Sequence, residues 1–467
     1  MNEDAKTIDP GWAWKVYTPS VGAAWNLRRV GHLFRRAAFG ATAADLDAGL
    51  KDGPAKTIAR LLEGGPKLDE FERSMTPLAD TIARANTGNN LAAWWLTRML
   101  YSPHPLAEKV TLFWHNHFAT SNAKVQNARF MLAQYALLRK HALGGFAKML
   151  EGMSTDQAML VWLDGRGSKK GIPNENYARE LMELFSLGLG HYTEKDIREA
   201  ARAFTGWEVG QAPKFTPGDH DAGEKTFLGK RGKSKPDDIV RLCLDQPACP
   251  RFLCEKLFRF FVSDTLPATK DLLEPLAVAY KKSNYDTGAI VKTILSSNLF
   301  FSDAAYRTKV KSPVDFALGA IKALEGRVGT SSLALTLTQL GQNLFQPPSV
   351  KGWDGGPAWL NGQTLLFRQN LALAMCSTED PRFGTRLDPA ALARKLGKRT
   401  DEELVDGFLR VFLQSDIPAE SRKRLVAYAG RSHDQQVPVY WTAEDAAAQR
   451  VRTLCHLVMM LPEYQLA

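Results

Sequence analysis

Between Ile172 and Trp207 the chain concentrates groups that can trade protons. Glu175, Arg179 and Glu183 follow one another at i, i+4 and i+8, and Asn176 and Glu180 flank them. On a helix this spacing gathers carboxylates around one guanidinium on a single face. Tyr177, Leu181, Leu184, Phe185 and Gly188 mark the opposite, buried side. Two readings of the stripe stay open. It is either a solvated face laced with ion pairs of about 0.2–0.5 kcal/mol each, or a cleft wall equipped for acid–base work or anion binding.

A second chemical stretch lies at 106–118. Helical spacing puts Leu106, Val110, Phe113, Trp114, His117 and Phe118 on one side, whereas His115 falls elsewhere with Thr111. The two histidines of His-x-His therefore diverge, and a two-histidine metal pincer is not expected. His117 beside Trp114 is either a core histidine satisfied by a backbone carbonyl or an acid–base partner. Farther along, His220, Asp221 and Lys225 sit in a turn-rich segment whose GEKTFLGK string lacks the Gly-x-x-x-x-Gly-Lys-Ser/Thr phosphate-loop pattern. The loop GWDGGPAWLNG (352–362) offers Trp353 and Trp359 either for stacking or for packing. His-Glu-x-x-His, Gly-x-Ser-x-Gly, paired Cys-x-x-Cys and dinucleotide-type glycine fingerprints are all absent from the sequence.

The elements that must position these groups read as helices. The central helix starts near Asn174, after Pro173, and stops at Gly188 and Gly190. Thr193 with Asp196, Thr42 with Asp45, and Thr442 with Asp445 have capping-box spacing. Helical patterns recur from Asn26 to the C-terminal segment, and only 207–235 changes texture, with Pro and Gly punctuating short β-type pieces. The expectation is a mainly α protein: an N-terminal arm over 1–24, anchored by Trp12, Trp14 and Trp25, then one compact multi-helix domain over 25–467 with a small β-hairpin insertion near 207–235.

Composition narrows the classes. The 467 residues are 45% hydrophobic and 24% charged, enough to bury a large core without covalent staples. A formal charge of +10 permits an anionic polymer as partner. No Lys/Arg run interleaves with aromatics, so nucleic acid is not expected. Five cysteines, an odd number without paired spacing, read as buried thiols. No basic n-region with an apolar run opens the chain and no stretch is long enough to span a bilayer, so a cytoplasmic location is expected.

NENYARELMELFSLGLGHYTEKDIREAARAFTGW resembles the signature of a large bacterial family catalogued as domain of unknown function 1800. GHLFRRAAFGAT (31–42), AEKVTLFWHNHFATS (107–121), HDAGEKTFLG (220–229), PSVKGWDGGPAWLNGQTLLFR (348–368) and LVMMLPEYQLA (457–467) agree in the same order. The resemblance covers nearly the whole chain but implies no mechanism or cofactor. It implies export for many members, from which this N-terminus departs. It also implies an alkaline-phosphatase-like partner, because relatives are often encoded beside one. On the residues themselves, the expectation is that distant polar positions converge on one cleft. Glu180, Glu183 and His117 would be catalytic there, in hydrolysis or elimination on a glycan-like or anionic substrate. Arg179, Asn176, Arg36, His220, Asp221, Lys225 and Trp353 would bind it. A metal-dependent oxidoreductase using His117, His220 and carboxylates, and a non-catalytic scaffold, are the alternatives.

Overall fold

The computed structural model describes residues 8–383, 386–397, 400–430 and 442–467. The first seven residues of the expected arm lie outside them. Among the described residues the protein is mainly helical, 62%, and the strands form only two antiparallel two-stranded sheets. The mainly α class therefore holds.

The central element is the helix Pro105–His117. Proline at its first turn needs no intrahelical donor, and every residue from Leu106 to His117 except Asn116 is buried. A helix buried all round must satisfy its polar side chains internally. Glu108 accepts from Trp95 Nε1 (3.1 Å), Arg98 Nε (3.1 Å), Tyr135 Oη (2.8 Å) and Arg139 Nε (3.1 Å). Lys109 pairs with Asp315, and Thr111 donates to the Ala107 carbonyl.

Two apolar cores meet at this helix. One gathers Phe34, Trp114, Phe146, Phe185, Ile197, Phe258 and Ile294, and takes Val110 and Phe113 from the central helix. The other gathers Trp95, Tyr135, Phe316, Leu337, Phe408 and Val458, and takes Leu112. The capping boxes at Thr42, Thr193 and Thr442 are all formed, each with its Asp three residues on.

The 207–235 segment makes two hairpins. Trp207–Glu208 pairs with Lys214–Phe215, and Lys225–Phe227 pairs with Lys230–Gly232. Residues 8–24 lie along the body: Trp14 Nε1 donates to the Leu272 carbonyl at 2.6 Å, and the Tyr17 amide to Ser296 at 2.8 Å. Trp25 Nε1 likewise reaches the Gly49 carbonyl. Trp12, expected as an anchor, stays 45% exposed. All five cysteines are free and buried, as their spacing implied.

Candidate functional site

A cleft of about 450 Å3 opens where the two cores part. Its walls come from the central helix, the helix Ala248–Phe261, the 309–315 segment and the Gly352–Trp359 loop. The size suits a small organic ligand.

The loop is clamped to the central helix by Asn116. Its Oδ1 accepts from the Trp353 amide at 2.7 Å, and its Nδ2 donates to the Trp353 carbonyl at 3.3 Å. Gly352 makes the approach possible. It has φ +80°, and a Cβ there would stand 2.2 Å from Asn116 Oδ1 and 2.5 Å from the Asn116 carbonyl. Trp353 and Trp359 line the cleft but are only 8% and 9% exposed, so they present edges to it and packing claims most of their surface.

Two of the cleft's lining residues, His117 and Lys256, are tied to a distortion the sequence did not reveal. The helix that begins at Asn176 is α-helical only to Glu180, then runs as a π-turn over Leu181–Ser186 and closes at Gly188, φ +79°. The last carbonyls of a helix have no internal partner. Here Phe185 O accepts a hydrogen bond from His117 Nε2 (3.1 Å), and Leu184 O accepts one from Lys256 Nζ (3.1 Å). Lys256 Nζ also donates to His117 Nδ1 at 3.2 Å. With Nε2 donating and Nδ1 accepting, His117 is a neutral imidazole. Burial, with the Lys256 charge beside it, holds its pKa well below the ordinary value.

Lys256 has no carboxylate within ion-pair distance among the described residues; its remaining neighbour is the Phe252 ring, 4.7 Å from Nζ. Three other cleft cations are paired: Lys109 with Asp315, Lys309 with Asp264, and Arg259 with Glu255 at 3.8 Å. Burial pushes the Lys256 ammonium down to about 8. The negative end of the helix above it favours the cation by only about 1–2 kcal/mol, less than the desolvation that opposes it. Burial also brings Lys309 down to about 8 in spite of Asp264.

The expected site residues divide into three groups. His117 and Trp353 line the cleft. Glu180 is half-buried and is not among the residues that line the cleft; burial and then Glu183 raise its pKa, and Arg179 and the cleft lysine Lys351 oppose them. Glu183 accepts from Tyr192 Oη at 3.0 Å. Arg36 is buried and does not line the cleft; it donates to the Ala305 carbonyl, its Nε and Nη1 have no partner among the described residues, and burial lowers its pKa to about 9.

The rest lie elsewhere. Arg179 makes a two-pronged pair with Glu194 (2.8 and 2.9 Å) on the exposed face, and Asn176 donates to the Leu163 carbonyl. His220, Asp221 and Lys225 fasten the hairpin segment to the helix Glu194–Ala203. There Asp221 binds Arg202 Nε at 2.7 Å, Lys225 donates to two backbone carbonyls, and His220 Nδ1 lies 3.0 Å from Thr205 O. Arg202 holds the Asp221 carboxyl down at about 2. Lys256 was missed because a single lysine in an apolar helix carries no spacing signal. A partial clue was its place within CEKLFRFF, where the apolar period puts it beside half-buried Phe252 and Phe260.

The cleft is therefore a site lined by lysines, carboxylates and aromatic edges on a helical scaffold. The chain belongs to the family described as protein of unknown function DUF1800, whose model matches residues 32–466. No curated protein and no solved structure matches it. No helix among the described residues is long and apolar enough to cross a membrane.

Proposed function

We propose that this protein is an enzyme that takes an anionic, glycan-like substrate into the cleft and acts on it by acid–base elimination or hydrolysis. The observation that carries the reading is Lys256: a lysine lining a roomy cleft, held by two neutral acceptors and left without a counter-charge. A desolvated amine near neutrality is a competent proton acceptor, for instance from the carbon next to a carboxylate. Glu180, whose pKa moves the opposite way, is the complementary acid, with Glu183 beside it. His117, with both ring nitrogens engaged, positions Lys256 and does not itself exchange protons with substrate.

Lys256 and Lys351 form no ion pair among the described residues. They supply the positive potential that an anionic group needs. The metal-dependent reading has no ligand set behind it: no three His, Cys, Asp or Glu side chains gather among the described residues.

The test is a turnover screen of uronate-containing oligosaccharides and simpler sugar acids, following the new carbon–carbon double bond by ultraviolet absorbance and new reducing ends chemically. Activity lost in Lys256→Arg and in Glu180→Gln, with both variants folded, is the expected result. Activity that survives Lys256→Arg would remove the assignment. A protein inactive on every anionic glycan, yet captured stably by an alkaline-phosphatase-like protein, would favour the scaffold reading.

A further inference from the structure

We infer that Lys256 is also a nucleophile, and that the ligand it captures is a carbonyl compound bearing a carboxylate, bound as an imine. The inference rests on the placement of Lys256 in the cleft proposed above and deepens it by naming the substrate class. It starts from the geometry of one nitrogen. A neutral lysine amine has two N–H bonds and one lone pair. Nζ has two fixed acceptors, His117 Nδ1 at 3.2 Å and Leu184 O at 3.1 Å. When both N–H groups point at them, the lone pair is left in the remaining tetrahedral direction. Because Lys256 lines the cleft, that direction is open to a ligand.

Neither acceptor carries charge, so the arrangement stabilises the amine without demanding an ammonium. Lys309 and Lys109, by contrast, are each engaged by a carboxylate, Asp264 and Asp315. The Phe252 ring stands 4.7 Å from Nζ, and Phe113 lines the same cleft. Such apolar rings limit the water that competes for the imine. Burial, which lowers the pKa to about 8, raises the fraction of amine present at neutral pH.

The step balances without a further reactant. Nζ adds to the carbonyl carbon, one amine proton passes to the carbonyl oxygen, and loss of water leaves a carbon–nitrogen double bond. Lys109, Lys309 and Arg259 line the same cleft but are each paired, with Asp315, Asp264 and Glu255. Asp354 and Lys351 line it too, and Lys351, which forms no ion pair among the described residues, is the cation suited to the ligand's carboxylate.

The experiment uses the full chain, glyoxylate as probe and sodium borohydride as trap, with sites mapped by peptide mass spectrometry at pH 7.5. Borohydride delivers hydride to the imine carbon and makes the adduct permanent. The expected result is labelling of Lys256 at least on the order of tenfold faster than exposed Lys351 in the same molecules, from the larger neutral fraction. This internal comparison needs no variant and so cannot be lost to misfolding. Labelling of Lys256 no faster than Lys351 would overturn the inference. A parallel calorimetric titration with galacturonate separates the two proposals. Binding without trapping would retain the acid–base reading and end the imine. Trapping without binding would do the reverse.

Discussion

His117 and Lys256 share one hydrogen bond of 3.2 Å, and each uses its other polar contact on a neighbouring carbonyl of the same π-turn, Phe185 and Leu184. The consequence is a histidine that cannot take up a proton without losing Lys256, and a lysine oriented by a neutral ring. Removing the ring's polarity by His117→Leu leaves the Phe185 carbonyl without its donor and Lys256 with one acceptor. The expected cost is about 1–3 kcal/mol in urea unfolding, together with a further fall in the Lys256 pKa. His117→Gln, which keeps an acceptor and a donor, should recover part of both.

Lys256 also shapes stability against pH. Its folded pKa, about 8, lies below that of an unfolded lysine, about 10.4. Between those values the unfolded chain binds one more proton than the folded one, so stability rises with pH across that window. Below pH 8 the buried ammonium costs free energy, and the cost is relieved as pH rises. Lys256→Met should therefore flatten the pH dependence of Tm between pH 7.5 and 10. An unchanged slope would mean that Lys256 is not desolvated.

Glu108 is the structural counterweight. It is fully buried among Arg98, Arg139, Tyr135 and Trp95. Glu108→Gln leaves two arginines facing an uncharged group, and removing one partner of a buried charge cluster costs about 3–5 kcal/mol. Chemical denaturation measures the loss directly, and a change under 1 kcal/mol would show that the cluster is hydrated.

The Asn116 clamp should be intolerant of bulk. Gly352→Ala forces a Cβ against the Asn116 backbone at a positive φ. A destabilisation of roughly 1–3 kcal/mol follows from strain of that kind. Hydrogen exchange should localise faster opening to the Gly352–Trp359 loop. Faster exchange spread evenly over the molecule would contradict the clamp.

The His220 cluster should behave differently from the cleft. Arg202→Ala removes the partner of Asp221 and Glu199, so the Lys225–Gly232 hairpin should exchange faster while labelling of Lys256 stays unchanged. Impaired cleft chemistry in this variant would return His220, Asp221 and Lys225 to the site.

The fold was legible where local chemistry is decisive. Capping boxes at Thr42, Thr193 and Thr442 act over three residues, so spacing alone locates them. The apolar period of 106–118 likewise showed that His115 and His117 diverge, and the structure gives them separate partners: Phe345 N for His115 and Phe185 O for His117. The site was legible only in part. The π-turn at Leu181–Ser186 is held by tertiary contacts with His117 and Lys256, and helical periodicity cannot register it. Arg179 was drawn as a ligand-binding group because its partner, Glu194, lies on the next helix and outside any i, i+4 pattern. Lys256 acquires its character from burial against residues far away in sequence.

The most direct test of the account is competitive labelling of Lys256 with a trace amine reagent as pH is raised, with peptides read by mass spectrometry. The account predicts reactivity that rises with a midpoint near pH 8 and is protected by an anionic sugar acid. A midpoint near that of a free lysine, about 10.4, with no protection by the anion, would contradict it.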